Sequence, residues 1–298
     1  MYTRRRFTVP LPNGRALALG ERTLVMGVIN VTPDSFSDGG RLFDPAQAIE
    51  AGVRMVEQGA DLLDVGGEST RPGAQPLDAS EERRRVVPVI EGLVPRVNVP
   101  VSVDTYKASI ADAALAAGAA IVNDISGLRY EPALGDVVAR RRGALVLMHT
   151  RGRPSAMYEQ ASYHAVVDEV LDELRESIAF ATRAGVPDER IIVDPGLGFA
   201  KDAPHSYEVL ARLHMFAELG RPVLVGPSRK SFLTRPLGPS TSLGTGGVLP
   251  AAERDWATGA AVAAAVLGGA HIVRVHAVRE MLQVVRVADE IRKYKEEA

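Results

Sequence analysis

Residues 24–31 read LVMGVINV, a nearly continuous apolar run that opens the part of the chain whose pattern decides the fold. Seven further short apolar runs follow it, at residues 62–65, 101–103, 120–122, 144–148, 191–193, 223–225 and 271–275. Stretches of helical period follow the runs, at residues 45–58, 80–94, 107–117, 131–140, 165–184, 206–219, 256–267 and 279–294. Apolar strands that alternate with helices indicate a parallel sheet buried on both faces. Eight such units predict an α/β fold, the (β/α)8 TIM barrel.

The pattern favours a single domain over residues 1–298, with a doubly wound open sheet as the structural alternative. That alternative usually needs fewer strands and a Gly-rich first turn, which this chain lacks. Ahead of the barrel, residues 7–11 and 16–19 flank Asn13-Gly14, a dipeptide typical of hairpin turns. We expect this N-terminal β-hairpin, within residues 1–22, to cap the bottom of the barrel. Residues 234–253 are rich in Gly, Pro, Ser and Thr and predict a flexible loop insertion.

The composition is ordinary for a soluble globular protein, with 46% hydrophobic and 24% charged residues. A formal net charge of −2 gives no general preference for nucleic acid or for a membrane surface. The sequence contains no Cys, which excludes disulfides, thiolate metal sites and Cys nucleophiles. Because no apolar leader segment follows the N-terminal arginines and no apolar run could span a bilayer, we expect a cytoplasmic location and no membrane partner.

The connections that leave several predicted strands are much longer than those that enter strands, as at residues 32–43, 66–79, 150–164 and 234–253. In a TIM barrel the loops after the strands meet at one face, and that face carries the active site. Polar residues stand at or after the ends of all the predicted strands, namely Asn30, Glu68, Asp104, Asn123, His149, Asp194, Lys230 and Arg274. Any one of them could simply cap a helix, but the whole set predicts a functional rim.

The rim residues divide by charge. The acceptor and amide groups are Asp104, Asn123 and Asp194, and the cations are Lys230, Arg274 and His276. The acceptors suit a ligand with clustered N–H donors, such as an aminopyrimidinone ring, and the cations suit phosphate. We therefore expect an acceptor-rich end and an anion-binding end. Two alternatives stay open, since the carboxylates could hold a divalent metal ion and Arg274 could pair with Asp194 across the barrel mouth.

Seven motifs occur in order along the chain: NVTPDSFSDGG (30–40), GGESTRPG (66–73), SVDTYK (102–107), NDISG (123–127), DPGLGF (194–199), SRKSF (228–232) and RVH (274–276). From about residue 24 to the end, the chain resembles the dihydropteroate synthase family. The resemblance implies a pterin-binding (β/α)8 barrel and a transferase of folate biosynthesis. Such an enzyme condenses 6-hydroxymethyl-7,8-dihydropterin pyrophosphate with 4-aminobenzoate, releases pyrophosphate and 7,8-dihydropteroate, and is a sulfonamide target. A Mg²⁺ cofactor and a homodimer are implied as well.

The resemblance also assigns roles to individual residues. It places the pterin against Asp104, Asn123, Met148, Asp194, Phe199 and Lys230. It places the pyrophosphate against Arg274, His276 and Asn30, with Mg²⁺ bound near Asn30. The loops would close over the site with Phe36, Asp38, Thr70, Arg71 and Pro72, and Ser231 would meet the carboxylate of 4-aminobenzoate. The expected catalytic residues are Asp38, Asp104, Lys230 and Arg274.

Two other functions compete with this reading. A methyltetrahydrofolate-binding methyltransferase domain also holds a pterin in such a barrel, but it needs no anion clamp. A non-catalytic paralogue would bind pterin without turnover, and the presence of Asn30, Lys230 and Arg274 favours the synthase over it. Among the histidines, we expect structural roles for His149 and His271.

Overall fold

The structure, a computed structural model, describes residues 4–32, 44–70, 73–156, 159, 161–237 and 249–297. Within these ranges it has ten strands: β1 (Phe7–Pro10), β2 (Ala16–Leu19), β3 (Leu24–Asn30), β4 (Leu62–Gly66), β5 (Val101–Asp104), β6 (Ile121–Asp124), β7 (Ala144–Met148), β8 (Ile191–Asp194), β9 (Leu224–Val225) and β10 (Ile272–Val275). The α-helices of the same ranges are α1 (Pro45–Glu57), α2 (Ala79–Leu93), α3 (Ala108–Ala116), α4 (Ala133–Arg141), α5 (Val166–Arg183), α6 (Ala203–Ala211), α7 (Asp255–Leu267) and α8 (Val278–Glu297).

Strands β3 to β10 form one parallel sheet in the order β8-β7-β6-β5-β4-β3-β10-β9. The two outermost strands approach each other through a single bridge between Val193 and Val223, so the sheet curves into a nearly closed barrel. Helices alternate with the strands along the chain. The predicted (β/α)8 barrel is therefore confirmed, and every predicted strand is present to within two residues at each end.

Two large apolar clusters form most of the core of the described residues. The larger cluster lies between the strands and the helices around them and includes Val25, Val103 and Val262. A second cluster joins inward residues of the barrel strands, such as Met26 and Ile121, to the hairpin β1–β2. Since these strand residues lie on the N-terminal side of the site residues, the hairpin covers the bottom of the barrel, as predicted.

The helix starts follow local capping chemistry. Asp44 accepts the backbone N–H of Ala46 at 2.9 Å at the start of α1, and Asp78 accepts that of Ser80 at 2.8 Å at the start of α2. Each of the two helices begins directly after its capping residue and within one residue of its predicted start. This agreement reflects the strong local preferences of Asp at N-caps.

One predicted helix is wrong in its extent. The sequence pattern predicts a helix over residues 206–219, but α6 ends at Ala211 and a 3-10 helix covers Leu213–Leu219. The buried residues of the second piece are Leu213, Phe216 and Leu219. Their spacing of three places them on one face of a helix with three residues per turn, so apolar burial there favours the tighter geometry.

The predicted loop insertion at residues 234–253 is described only at its two ends. Residues Ser231–Leu237 and Ala251–Glu253 form 3-10 turns, and residues 238–248 lie outside the described ranges. Within the described ranges, none of the helices has the length and apolar character needed to cross a bilayer.

Candidate active site

The strand register places the predicted site residues at one edge of the barrel. Asp104 at the end of β5 is paired in register with Asn123 on β6, and Met148 at the end of β7 is paired with Asp194 at the end of β8. Arg274 reaches the same edge from β10, because its guanidinium contacts Asp104. The polar residues of four separate strands therefore do meet near the carboxyl ends of those strands.

A chain of hydrogen bonds crosses the mouth of the barrel. Arg274 donates through Nε to Asp64 at 2.6 Å and through Nη2 to Asp104 at 2.7 Å. The amide of Asn123 donates through Nδ2 to the same Asp64 oxygen at 3.0 Å. Asp64 is fully buried, and its charge is balanced by the guanidinium. Because burial removes water from this cluster, its ion pairs are stronger than exposed ones.

Two expectations about charge need correction. The pattern of residues predicts acceptors at one end and cations at the other, but Arg274 lies between two carboxylates, so the charges alternate. Partner choice is set by the strand order, which brings β10 close to β4 and β5 across the barrel interior. The alternative pairing of Arg274 with Asp194 is also wrong, since the guanidinium donates to Asp64 and Asp104 instead.

The other side of the mouth combines a carboxylate, an ammonium and an aromatic face. Asp194 accepts the backbone N–H of Gly196 at 2.7 Å, and burial raises the pKa of its carboxyl to about 6. The Nζ of Lys230 lies 3.7 Å from the centroid of the Phe199 ring, a cation–π distance. Burial lowers the pKa of Lys230 to about 7. Met148 and Phe199 belong to one small apolar cluster, which gives the site apolar side chains beside its charged groups.

His276 and Asn30 lie side by side near β10 and β3. The Asn30 Nδ2 and His276 Nε2 atoms are 3.4 Å apart, and His276 Nδ1 is 2.9 Å from Ser228 Oγ. Burial, together with the nearby Arg274 charge, lowers the pKa of His276 to about 3. The expectation that His276 is a cation is therefore wrong, because the imidazole is neutral and can offer only one N–H donor.

The loop residues of the predicted site are only partly described. Thr70 is half-buried at the end of its described loop, and Ser231 is exposed at the start of a 3-10 turn. Phe36, Asp38, Arg71 and Pro72 lie outside the described residues.

The chemistry of the donors decides which metal site is possible. Within the described ranges, no three His, Asp or Glu side chains gather as a metal site, so the alternative of a metal held by the rim carboxylates finds no support. With its Nδ2 beside His276, Asn30 can offer its amide oxygen to a metal. A single protein oxygen fits Mg²⁺, which usually keeps several waters and substrate phosphate oxygens as ligands.

Two buried residues at the site are not among the predicted ones. Asp64 lies inside an apolar run, and a single charged residue within a buried strand was the available signal. Lys201 is buried, and its Nζ contacts His149 Nδ1 at 2.8 Å and the backbone oxygens of Gly196 and Phe199. Lys201 thus braces the loop that carries Phe199, and the scarcity of lysine in the chain was a signal for it. The expected structural role of His149 agrees with this contact.

Comparisons with known proteins agree with the geometry. The profile of the pterin binding enzyme family matches residues 26–276. The chain is 43% identical over 284 residues to the dihydropteroate synthase of Synechocystis, covering 95% of each chain. It resembles the solved Xanthomonas albilineans dihydropteroate synthase with 4-aminobenzoic acid, with a TM-score of 0.84, 41% identity and coverage of 96% of this chain and 99% of that one. A Yersinia pestis dihydropteroate synthase in complex with a sulfonamide drug gives a TM-score of 0.86, 36% identity and coverage of 96% and 100%. The chain therefore belongs to the dihydropteroate synthase family of pterin-binding enzymes.

Proposed function

We propose that the protein catalyses the reaction of its family, the condensation of 6-hydroxymethyl-7,8-dihydropterin pyrophosphate with 4-aminobenzoate to give 7,8-dihydropteroate and pyrophosphate. One observation carries the proposal: buried acceptors, an aromatic face and two cations meet at a single barrel mouth. That combination suits a flat heterocycle with N–H donors joined to a diphosphate. We take the whole chain, residues 1–298, as the domain that performs it.

The pterin ring would lie among the buried groups of the mouth. Asp194 would accept from the two-donor edge of the aminopyrimidinone, since an ionised carboxylate pairs well with two parallel N–H groups. Lys230 would donate to the acceptor side of the ring, and Asn123 and Asp104 would accept from its other N–H groups. The apolar faces of the ring would pack against Phe199 and Met148.

The chemistry requires that a C–O bond breaks and a C–N bond forms at the pterin methylene carbon. When the bond to oxygen breaks, positive charge spreads into the ring and negative charge collects on the pyrophosphate. Asp104, together with Asp38, would stabilise the cation, and the N–H donors of Arg274 and His276 would stabilise the leaving group. The amine of 4-aminobenzoate then attacks the methylene carbon and afterwards loses a proton to water.

The loop residues would hold the second substrate and exclude competing water. We assign the carboxylate of 4-aminobenzoate to Ser231, and the closing loops to Phe36, Thr70, Arg71 and Pro72. Water exclusion matters because a free cation would otherwise be captured by water rather than by the weakly nucleophilic arylamine.

Mg²⁺ is part of the proposal. Asn30 would supply one oxygen ligand, and the substrate phosphates would supply others. When bound, the ion would offset the charge that develops on the leaving pyrophosphate.

We also propose that the protein is a homodimer and acts in the cytoplasm. Support for the dimer comes from helix α8, on which Val287, Ile291 and Tyr294 are exposed and form one stripe at intervals of four and three residues. On the neighbouring helix α7, Trp256 near the start and Leu267 at the end are exposed too. The cytoplasmic location fits an enzyme of small, water-soluble substrates.

The test is an assay of pyrophosphate release with both substrates and Mg²⁺. Release that depends on 4-aminobenzoate and is blocked by a sulfonamide supports the proposal. Binding of the pterin pyrophosphate without release would favour the non-catalytic paralogue. Absence of both binding and release, with methyl transfer from a methylated folate, would favour the methyltransferase reading.

A further inference from the structure

Asp64 occupies the floor of the barrel mouth, beneath the groups that the proposed function assigns to the substrate. It is fully buried on β4, and a single oxygen, Oδ2, receives both the Asn123 Nδ2 at 3.0 Å and the Arg274 Nε at 2.6 Å. Neither a substrate contact nor a chemical step has been assigned to it. Its two partners, however, are both residues of the proposed site.

The bond from Asn123 has a consequence for recognition. An ionised carboxylate only accepts hydrogen bonds, so it fixes which end of the neighbouring amide faces it. The NH2 group of Asn123 must point to Asp64, and its Oδ1, to which no described residue donates, is left for the ligand. If the Asn123 amide were rotated by about 180°, it would present its NH2 donor to the ligand instead. The two orientations have almost the same shape, so packing alone does not choose between them. Asp64 therefore decides whether the site presents an acceptor or a donor at this point.

The bond from Arg274 fixes a second group. Its guanidinium donates Nε to Asp64 and Nη2 to Asp104, so the plane of the fork is set by two carboxylates on neighbouring strands. Because the guanidinium is planar, fixing two of its N–H groups also fixes the direction of the remaining N–H groups.

Resting on the proposed function, we infer that Asp64 is a positioning residue for pterin recognition: its Oδ2 holds Asn123 with the amide oxygen towards the ring and holds the Arg274 fork in place. The class of ligand selected is a heterocycle that carries an N–H donor opposite Asn123. Asp64 acts through these two residues and touches no substrate itself.

Three variants separate the orientation of the Asn123 amide from the general effect of changing a buried side chain. Asp64→Leu keeps the approximate shape but removes the accepting oxygen, so Asn123 can turn its donor towards the ring. Asp64→Asn removes the charge but can keep an oxygen at the Oδ2 position, so the orientation survives. Ser102→Ala is the matched control, because Ser102 is the register neighbour of Asp64 on β5, is equally buried, and has an Oγ with no partner among the described residues.

The measurement is the affinity for 6-hydroxymethyl-7,8-dihydropterin pyrophosphate with Mg²⁺ by calorimetry, together with the KM of each substrate. A donor facing a donor at a buried site should weaken binding by about 10–100-fold in Asp64→Leu. Asp64→Asn and Ser102→Ala should stay within about 3-fold of the wild type, and the KM for 4-aminobenzoate should hardly change in any of them.

The outcomes distinguish the inference from the function on which it rests. A wild-type protein that binds no pterin pyrophosphate would refute the proposed function itself. A wild type that binds, with Asp64→Leu unaffected or with Asp64→Asn as weak as Asp64→Leu, would overturn the positioning role alone. If Asp64→Leu does not fold, neutron diffraction of the wild type with bound pterin decides: deuterons on the Asn123 atom facing Asp64 support the inference, and deuterons on the atom facing the ring overturn it.

Discussion

Replacing Lys107 with Met should strongly destabilise the protein, and more so at high pH than at low pH. The Nζ of Lys107 forms ion pairs with both Glu68 and Glu82 at the junction of β5 and α3. All three side chains are largely buried, with Glu82 only 1% exposed. Glu68 also accepts the backbone N–H of Leu77 at 3.1 Å and so anchors the loop that carries Thr70.

The magnitude follows from the two carboxylates that lose their shared cation. Removing one partner of a buried pair typically costs about 3–5 kcal/mol, because an uncompensated charge stays in a medium of low polarity. Burial already raises the pKa of Glu82, although Lys107 opposes the shift. Without Lys107 that pKa rises further, so the folded state binds a proton more readily than the unfolded state. The cost is therefore small near pH 4.5 and grows as the pH rises through the new folded-state pKa.

Urea denaturation of wild type and Lys107→Met at pH 5 and pH 8 measures this difference. Lys293→Met is the matched control, since Lys293 pairs with Glu290 on the exposed side of α8 and its removal should leave the denaturation midpoint unchanged. Equal losses at the two pH values, or a loss at pH 8 no larger than that of the control, would refute the reasoning. At about 2 °C per kcal/mol for a chain of this size, a thermal scan should show a midpoint lower by about 6–10 °C at pH 8.

Three further outcomes are expected. Gly196→Ala should cost about 3 kcal/mol or more in urea denaturation and weaken pterin binding, since its φ is +69° and a Cβ would lie 2.0 Å from the His149 carbonyl oxygen; Gly220→Ala, with φ +62° and open space, should cost about 1 kcal/mol. Pterin affinity measured by calorimetry should fall as the pH drops from about 7 to about 5, because burial raises the pKa of Asp104 to about 7 and that of Asp194 to about 6 and both carboxylates are proposed to accept from the ring; Asp194→Asn should remove only the part of the fall that lies near pH 6. Val287→Glu should convert a homodimer into a monomer by analytical ultracentrifugation without changing the melting temperature of the monomer, since Val287 is 62% exposed; an unchanged sedimentation coefficient would contradict the α8 interface.

The architecture could be predicted from sequence because its signals are local. Buried strands such as β7 show as runs of branched apolar residues, and helix starts such as Asp44 show as capping residues. The turn Asn13-Gly14 marks the hairpin in the same way. Repeating these signals eight times leaves few folds to choose from. The least accurate prediction concerns the second half of the helix at residues 206–219. There the buried residues recur every three positions, which fits a 3-10 helix rather than an α-helix.

The charge arrangement of the site could not be predicted because it depends on contacts between distant strands. Arg274 and Asp64 are separated by 210 residues, and nothing near either one signals the other. The motif residues indicated which groups meet, since all stand at strand ends, but not which of them pair. Likewise, a neutral His276 results from burial and from the nearby Arg274 charge, neither of which is visible in the tripeptide RVH.

The pairing of Arg274 with two carboxylates need not weaken its proposed role with pyrophosphate. The bonds to Asp64 and Asp104 use the Nε and one Nη2 hydrogen, and the rest of the fork is still able to donate. A lysine in its place would carry the same charge but could not serve two carboxylates and a phosphate in a fixed plane. Burial raises the pKa of Asp104 to about 7, and the guanidinium charge opposes part of that rise and so favours the ionised form. An ionised Asp104 is what stabilisation of a cationic pterin requires, so one arginine can support both the leaving group and the carboxylate opposite it.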